Sequence, residues 1–435
     1  MKELLKNFKK YDDDSLAILG AGISGNGMSE LLEKLGWQYK MYDEQGRAFC
    51  DKEACACSIV VCSPGFKKDH PWRKIAENNK KLIVNEIDFA SYFMNSQIIG
   101  ITGTNGKTSL ATFLSHLWNS VGRSAVVAGN VGVPLSKLIA EGLSNKTTIF
   151  LETSSFQGED LKFIKFNSLM WTNFEEDHLD YHGSMNKYFL AKANMFSLLG
   201  TGSLFVGKTV QEYAEKNNYK LPRQTEVVNK NTNISDFVKN NNFMSSFPQR
   251  ENLALAYTFA LSNGIKRTDF ERAIESYEGQ PHRLQKIDTM GMATFWNDSK
   301  STNFSSALAA CRNFKGNTFW IGGGKEKGGI VDDFARKLMP LIKKAFLIGE
   351  SGMNLAKLFE NHEFPNAFCH TLEEAVKKAF SEVTEKTNIL LSPGFASFDS
   401  FINYADRGNS FKTLVLDLKR ITSIATHDRV TEFHS

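Results

Sequence analysis

Short apolar runs alternate along the chain with longer segments whose apolar positions recur at helical spacing. Up to residue 94 the runs are Leu16-Ala-Ile-Leu19, Ser58 to Cys62 and Lys81-Leu-Ile-Val84, with a helical pattern from Gly27 to Leu35 and a strand-like Tyr39-Lys-Met-Tyr42. A second block opens at Gln97-Ile-Ile-Gly100 and predicts strands over Ser124 to Ala128, Thr147 to Glu152 and Ser168 to Thr172. The stretch from Lys208 to Asn242 is polar and Asn-rich, and no element is assigned to it. From about Pro281 a third block predicts strands over Ala293 to Trp296, Thr318 to Ile321, Ala345 to Ile348 and Ile389 to Leu391. Strands alternating with helices in this way predict an α/β protein with parallel sheets. Its 435 residues divide naturally into three domains, at 1–94, 95–280 and 281–435.

Composition narrows the class of function. A hydrophobic fraction of 42% and a charged fraction of 23% are ordinary for a globular protein. No segment approaches the roughly 18 apolar residues of a membrane span, and the N-terminus lacks the apolar core of a signal peptide, so a cytoplasmic protein with no membrane partner is expected. Fifty-two basic against 48 acidic residues leave a net charge of +4, and the cations are scattered, so no nucleic-acid partner is expected. Small anionic substrates remain compatible with that balance. Cysteines 50, 55, 57 and 62 match neither a zinc ribbon nor a C-x-x-C redox site. Cys62 falls in a buried-strand pattern, and the other three are expected in the preceding helix or loop as small reduced side chains.

Two glycine-rich turns carry candidate chemistry. The first predicted strand empties into Gly20-Ala-Gly22-Ile-Ser-Gly25, a G-x-G-x-x-G with Asp43 about twenty residues on, as a dinucleotide-binding turn would have for a ribose contact. A tight turn that only packs a helix on a strand accounts for this motif equally well. The second turn, Thr102-Gly103-Thr104-Asn105-Gly106-Lys107-Thr108, follows an apolar strand and precedes a helical pattern from Ser109 to Val121. In that setting the backbone amides and the helix N-terminus cradle phosphate, Lys107 neutralises β/γ oxygens and Thr108 offers a hydroxyl to magnesium. In the strict G-x-x-x-x-G-K-[ST] pattern the first glycine would stand at Ile101, whereas here it is Gly103, so the loop is a variant form. Nothing downstream resembles the N-K-x-D of GTPases, which favours a synthetase or kinase over a nucleotide switch.

The T-G-T-N-G-K-T loop is followed in order by Gly129-Asn130-Val-Gly132, Leu151-Glu152-Thr-Ser-Ser-Phe-Gln157, Asn173-Phe-Glu-Glu-Asp177-His178-Leu-Asp180 and Lys192 in Leu-Ala-Lys-Ala. Then come Asn252, Pro281-His282-Arg283, Asn297-Asp298-Ser299-Lys300-Ser-Thr302-Asn303, Gly322-Gly-Gly-Lys-Glu-Lys327-Gly328 and Ser392-Pro-Gly-Phe-Ala-Ser397-Phe398-Asp399. Over nearly the whole chain this series resembles the Mur ligases. Within that family, Ser154-Ser-Phe-Gln157 and the segment at 392–399 resemble the member that adds D-glutamate.

The resemblance implies a Rossmann-like N-terminal domain that binds UDP, a central P-loop ATPase-like domain with a parallel sheet, and a Rossmann-like C-terminal α/β domain that binds the amino acid. It implies the substrates ATP, D-glutamate and UDP-N-acetylmuramoyl-L-alanine, an acyl-phosphate intermediate, two Mg2+ ions and a monomer. By motif match, Gly103, Thr104, Asn105, Gly106, Lys107, Thr108, Ser109, Asn252, Arg283 and Asp298 are the ATP set. Thr108 and Glu152 would hold one magnesium, and His178 with Lys192 as a carbamate would hold the other. Lys300 and Lys327 resemble contacts to the carboxylate or acyl phosphate. Thr302, Ser397, Phe398 and Tyr404 resemble the D-glutamate pocket, Asn130 and Gln157 muramoyl contacts, and Ile23, Ser24 and Asp43 the uridine site. There Glu44-Gln45 departs from the Thr-Arg pair of some members. Two rival readings are a ligase of the same type acting on another amino acid or acceptor, such as a folate, and a non-catalytic protein that kept the fold. Intact Lys107, Glu152, His178 and Lys192 argue against the second, because a decayed site loses costly buried charges first.

Overall fold

The computed structural model describes residues 15–228, 249–314, 317–326 and 328–432. They form three α/β sheets, gathered into two compact units. The first unit takes in the described residues up to Phe174, those from Ser184 to 228, and Glu251–Tyr277; the second takes in Glu175–Gly183, Gln249 and Arg250, and the described residues from Glu278 onward.

The first sheet contains β1 (Ser15–Leu19), β2 (Tyr39–Tyr42), β3 (Cys57–Cys62) and β4 (Leu82–Asn85), all parallel, in the order β2-β1-β3-β4. Leu16, Ala17, Ile18 and Leu19 are buried on alternate faces, the signature of a parallel strand covered on both sides. The strand order reverses at β1, so a crevice opens outside the carboxyl ends of β1 and β3, where ligands of open α/β sheets bind. The helix after β1 spans Ile23–Leu35 and starts four residues earlier than the apolar pattern places it. The glycine turn itself winds into the helix, because Gly25 lies against the Gly20 carbonyl where any Cβ would collide. Gly36, at φ 69°, ends it in the left-handed conformation that glycine adopts without strain. Cys57 departs from expectation by opening β3, its thiol pushed above the ordinary range by burial.

The second sheet holds β5 (Ile98–Thr102), β6 (Ala125–Gly129), β7 (Thr148–Glu152), β8 (Ser168–Trp171), β9 (Leu204–Gly207) and β10 (Thr225–Val228). All its pairings are parallel, in the order β10-β9-β8-β5-β7-β6. The polar stretch left without an element contains the helix Lys208–Lys216, which buries only Val210 and Ala214, and the half-covered edge strand β10. Too few apolar positions repeat there to reveal either. Residues 229–242 of that stretch lie outside the described residues. One apolar core runs through the first two sheets, from Leu16 to Ala214. Two buried carboxylates bind them further: Glu86 accepts the Ser136 amide at 2.6 Å, and Asp88 accepts the Lys162, Phe163 and Ile164 amides at 2.7, 3.0 and 2.9 Å.

In the second unit β11 (Gln285–Met290) runs antiparallel to β12 (Ala293–Asn297) at one edge. Then β13 (Thr318–Gly323), β14 (Lys344–Ile348), β15 (Asn366–Phe368) and β16 (Thr387–Leu391) complete the order β11-β12-β16-β13-β14-β15 with parallel pairing. The carboxyl ends of β12, β16 and β13 therefore lie side by side, and the indole of Trp320 donates to the Ser392 carbonyl at 2.7 Å beside them.

Candidate active site

The phosphate loop is built by β5 and clamped by the two residues that follow β8, Thr172 and Asn173. Asn105 is held from both sides: its amide donates to Asn173 Oδ1 at 2.8 Å, and its carbonyl accepts from Thr172 Oγ1 at 2.7 Å and Asn173 Nδ2 at 3.1 Å. The Thr104 amide donates to the Asn173 carbonyl at 3.1 Å. Gly103 (φ 145°) and Gly106 (φ 81°) are required by space as well as by backbone, since a Cβ would strike Thr172 at the first and the Asn252 amide at the second. The helix Lys107–Ser120 follows without a side-chain cap, leaving its first amides for a ligand. Lys107 Nζ folds onto the Gly103 and Thr104 carbonyls at 2.9 and 2.8 Å.

The other first-unit candidates converge on this loop. Glu152, at the end of β7, accepts from Thr108 Oγ1 at 2.6 Å and from Asn130 Nδ2 at 3.1 Å. Asn252 Nδ2 lies 3.4 Å from the Gly106 carbonyl. Lys192 is 1% exposed, its Nζ donating to the Gly103 carbonyl at 2.9 Å with the Tyr188 ring centroid 4.8 Å away. Ser109 Oγ is buried in the first turn of the helix with no partner among the described residues. Gln157 closes a capping box with Ser154, its Oε1 accepting the Ser154 amide at 3.0 Å, which fixes the helix Ser155–Asp160 to the end of β7.

At the crevice of the first sheet, Asp43 Oδ2 accepts the Ala21 amide at 3.0 Å and Oδ1 accepts the Gln45 amide at 3.1 Å. These two bonds hold its carboxyl below the usual range. Ser24 stands next to Ile23, which opens the helix and is 77% exposed. This apolar residue beside the glycine turn is available to a ligand.

The second unit carries its own set. Asp298 is buried, and its carboxylate accepts from Ser301 Oγ at 2.5 Å, Ser392 Oγ at 2.7 Å and the Leu284 amide at 3.0 Å. Burial nevertheless pushes its pKa up to about 6. It thus braces the turn between β12 and Lys300 and leaves Arg283 half-buried next to that turn. Lys300 Nζ stands 3.8 Å from the Tyr404 ring centroid, a cation–π contact, and Ser299 Oγ donates to the Tyr404 carbonyl at 2.8 Å. Ser397 is buried, whereas Phe398 is 65% exposed. His178 sits at φ 53° with Nε2 3.6 Å from Asp177 Oδ2. His178 and Thr302 line one cavity of about 360 Å3. Lys327 lies outside the described residues.

Sequence reasoning missed three structural supports. Asn173 was visible only as the first letter of a motif, and Thr172 as the end of a strand. Arg407 had no local signal: it is 1% exposed and donates to Ser299 Oγ and its carbonyl at 3.0 and 2.9 Å and to the Phe395 and Ala396 carbonyls at 3.3 and 3.4 Å. Burial lowers its pKa to about 10.

A strand, glycine loop and helix with a half-buried Lys107 beside buried Thr108 and Glu152 define a nucleoside-triphosphate site on an α/β scaffold. The model of the Mur ligase middle domain matches residues 101–264. The UDP-N-acetylmuramoylalanine–D-glutamate ligase of Aquifex aeolicus is 32% identical over 92% of this chain and 97% of its own length. That of Thermoanaerobacter pseudethanolicus is 28% identical over 93% and 98%. Among solved structures, UDP-N-acetylmuramate-alanine ligase MurC from Thermotoga maritima shares the fold with a TM-score of 0.58 at 15% identity, covering 94% of this chain and 99% of that one. MurF ligase from the same organism, in complex with ADP, gives a TM-score of 0.54 at 13% identity over 96% and 100%. The chain belongs to the Mur ligase family.

Proposed function

We propose that this protein is an ATP-dependent ligase that joins D-glutamate to UDP-N-acetylmuramoyl-L-alanine. The γ-phosphoryl group of ATP passes to a carboxylate oxygen of the acceptor, giving an acyl phosphate and ADP. The amine of D-glutamate then attacks the carbonyl carbon and loses a proton, and the tetrahedral intermediate collapses with loss of inorganic phosphate. The single observation that carries this reading is the clamped loop in which Lys107 and the Thr108–Glu152 pair meet beyond the end of β5, in a chain that matches nearly the whole length of relatives named for this ligation. A preorganised cradle of amides and a cation suits phosphoryl transfer, which needs positioning and charge neutralisation more than covalent chemistry.

The donor set at Thr108 and Glu152, a hydroxyl and a carboxylate 2.6 Å apart, fits a magnesium ion. Among the described residues no group of three or more His, Cys, Asp or Glu converges, so nucleotide oxygens would complete its shell. A second ion would need His178 and Lys192, the latter as a carbamate, because an ammonium repels a divalent cation. Short carboxylates should then partly restore Lys192→Ala; no rescue together with a Lys192→Arg variant that keeps most activity would instead assign a cation that contacts phosphate directly. When bound, magnesium neutralises the charge of the transferring phosphoryl group. Arg283, Asp298 and Asn252 serve the nucleotide. Lys300 and Lys327 serve the carboxylate, Thr302, Ser397, Phe398 and Tyr404 serve D-glutamate, Asn130 and Gln157 the muramoyl part, and Ile23, Ser24 and Asp43 the uridine. The domain boundaries that go with this reading are 1–94, 95–280 and 281–435, and the working state is a monomer, which light scattering of the purified protein checks. The deciding experiment is phosphate release with the acceptor and a panel of D-glutamate, L-glutamate, L-lysine, diaminopimelate and L-alanine. Release only with D-glutamate supports the reading; release with another amino acid, or with none, overturns it.

A further inference from the structure

The helix Ser155–Asp160 is gripped at both ends by different parts of the first unit. Its N-terminal end is tied to the end of β7 by the capping box of Ser154 and Gln157, three residues after Glu152. Near its C-terminal end, Asp160 receives both terminal nitrogens of Arg73, Nη1 to Oδ2 at 2.7 Å and Nη2 to Oδ1 at 3.2 Å. Arg73 belongs to the helix Pro71–Asn78 of the first sheet's layer, and the same Nη1 also donates to the Phe66 carbonyl at 3.1 Å. Phe66 lies in the turn after β3, and a Cβ on Gly20 would come within 3.0 Å of its ring, so that turn forms the second lip of the crevice opposite the Gly20–Ile23 turn. Arg73 is buried, with Nε unpartnered among the described residues. An outer ion pair, Lys68 to Glu159 at 2.8 Å, runs parallel to it.

A planar guanidinium sharing two parallel bonds with a carboxylate fixes both distance and angle, which a lysine ammonium would not. Six residues of helix advance about 9 Å, so this small rod spans from the phosphate-loop side of the unit to the crevice of the first sheet. We propose that Arg73, paired with Asp160, is a positioning residue that sets the span between the nucleotide-binding crevice and the Glu152–Gln157 segment. An acceptor held at one end by UDP then presents its carboxylate in register with the phosphate loop. This rests on the ligase reading and on the uridine site at Ile23, Ser24 and Asp43. It adds that the nucleotide handle helps turnover only while this strut is intact.

The test compares two acceptors in the full chain, UDP-N-acetylmuramoyl-L-alanine and N-acetylmuramoyl-L-alanine lacking the UDP group, with ATP and D-glutamate saturating. Arg73→Met and Asp160→Asn should each lower kcat on the UDP-linked acceptor about tenfold, since small misplacements of a reacting group have effects of that size or larger. They should leave the truncated acceptor within about twofold of wild type and inhibition by free UDP unchanged. The double variant should be no worse than either single one. If Arg73→Met does not fold, Asp160→Asn and Arg73→Lys make the same comparison. Equal losses on both acceptors, as a purely structural role would give, or no loss on either, overturn the proposal while the ligase reading stands. A wild type that releases no phosphate with the UDP-linked acceptor overturns both.

Discussion

Lys107 illustrates what one side chain contributes at a preorganised site. Its Nζ rests on the Gly103 and Thr104 carbonyls, a position from which it can swing to phosphate oxygens without disturbing the loop. Lys107→Ala should therefore fold normally by circular dichroism and lower kcat at least about a thousandfold, as loss of a charge that stabilises phosphoryl transfer does. Asp298 offers a pH signature. Burial raises its folded-state pKa to about 6, above the roughly 3.9 of an unfolded aspartate, so the folded chain binds this proton more tightly. Its ionised form therefore opposes folding above about pH 6, and that penalty is relieved as pH falls toward 4. Measured by urea unfolding, the stability of wild type relative to Asp298→Asn should rise by up to about 3 kcal/mol from pH 7 to pH 4. A flat or falling difference would show that Asp298 titrates as an ordinary aspartate. Residues such as Lys107 and Thr108 were legible in the sequence because the loop pattern is local. Arg407 was not, because every group it contacts is backbone or a serine brought near only by the fold.

Among the elements, the strands read from unbroken apolar runs were placed to within two residues, since such a run leaves little choice of register, whereas β9, buried at Leu204, Phe205 and Val206, was not read because its apolar run is only three residues long. The antiparallel edge strand β11 and the short β15 escaped notice because an edge strand needs only alternate apolar positions. The loop between β5 and its helix was readable as a phosphate cradle, yet its rigidity comes from the residues that follow β8, whose contribution lies 68 residues further along the chain. Asn173→Ala leaves both backbone groups of Asn105 without their amide partner. It should lower kcat/KM for ATP by about one to two orders of magnitude while leaving KM for D-glutamate within about twofold, because the lost bonds hold only the nucleotide loop. Steady-state titration of each substrate distinguishes this from a general loss of folded protein.

For the molecule as a whole, the first two sheets share one core and the buried clamp at Asp88, so they should unfold together although they are distinct α/β layers. Calorimetry should give one transition for both, and Asp88→Ala, which strips three amides of their acceptor, should lower its midpoint on the order of 10 °C. A separate low-temperature transition for the four-stranded sheet would contradict this. The cysteines, unremarkable as chemistry, sort by place: Cys57, Cys62, Cys311 and Cys369 are buried with thiols pushed above their ordinary range by burial, whereas Cys50 and Cys55 are exposed, the first capping and the second ending the short helix Asp51–Cys55 that leads into β3. Alkylation needs an accessible thiol, so a maleimide dye added briefly near neutral pH would mark Cys50 and Cys55, the two ends of one short helix, and spare the buried four. The native chain thus carries its own pair of attachment points for a fluorescent label on the N-terminal sheet, with no cysteine to be removed or introduced.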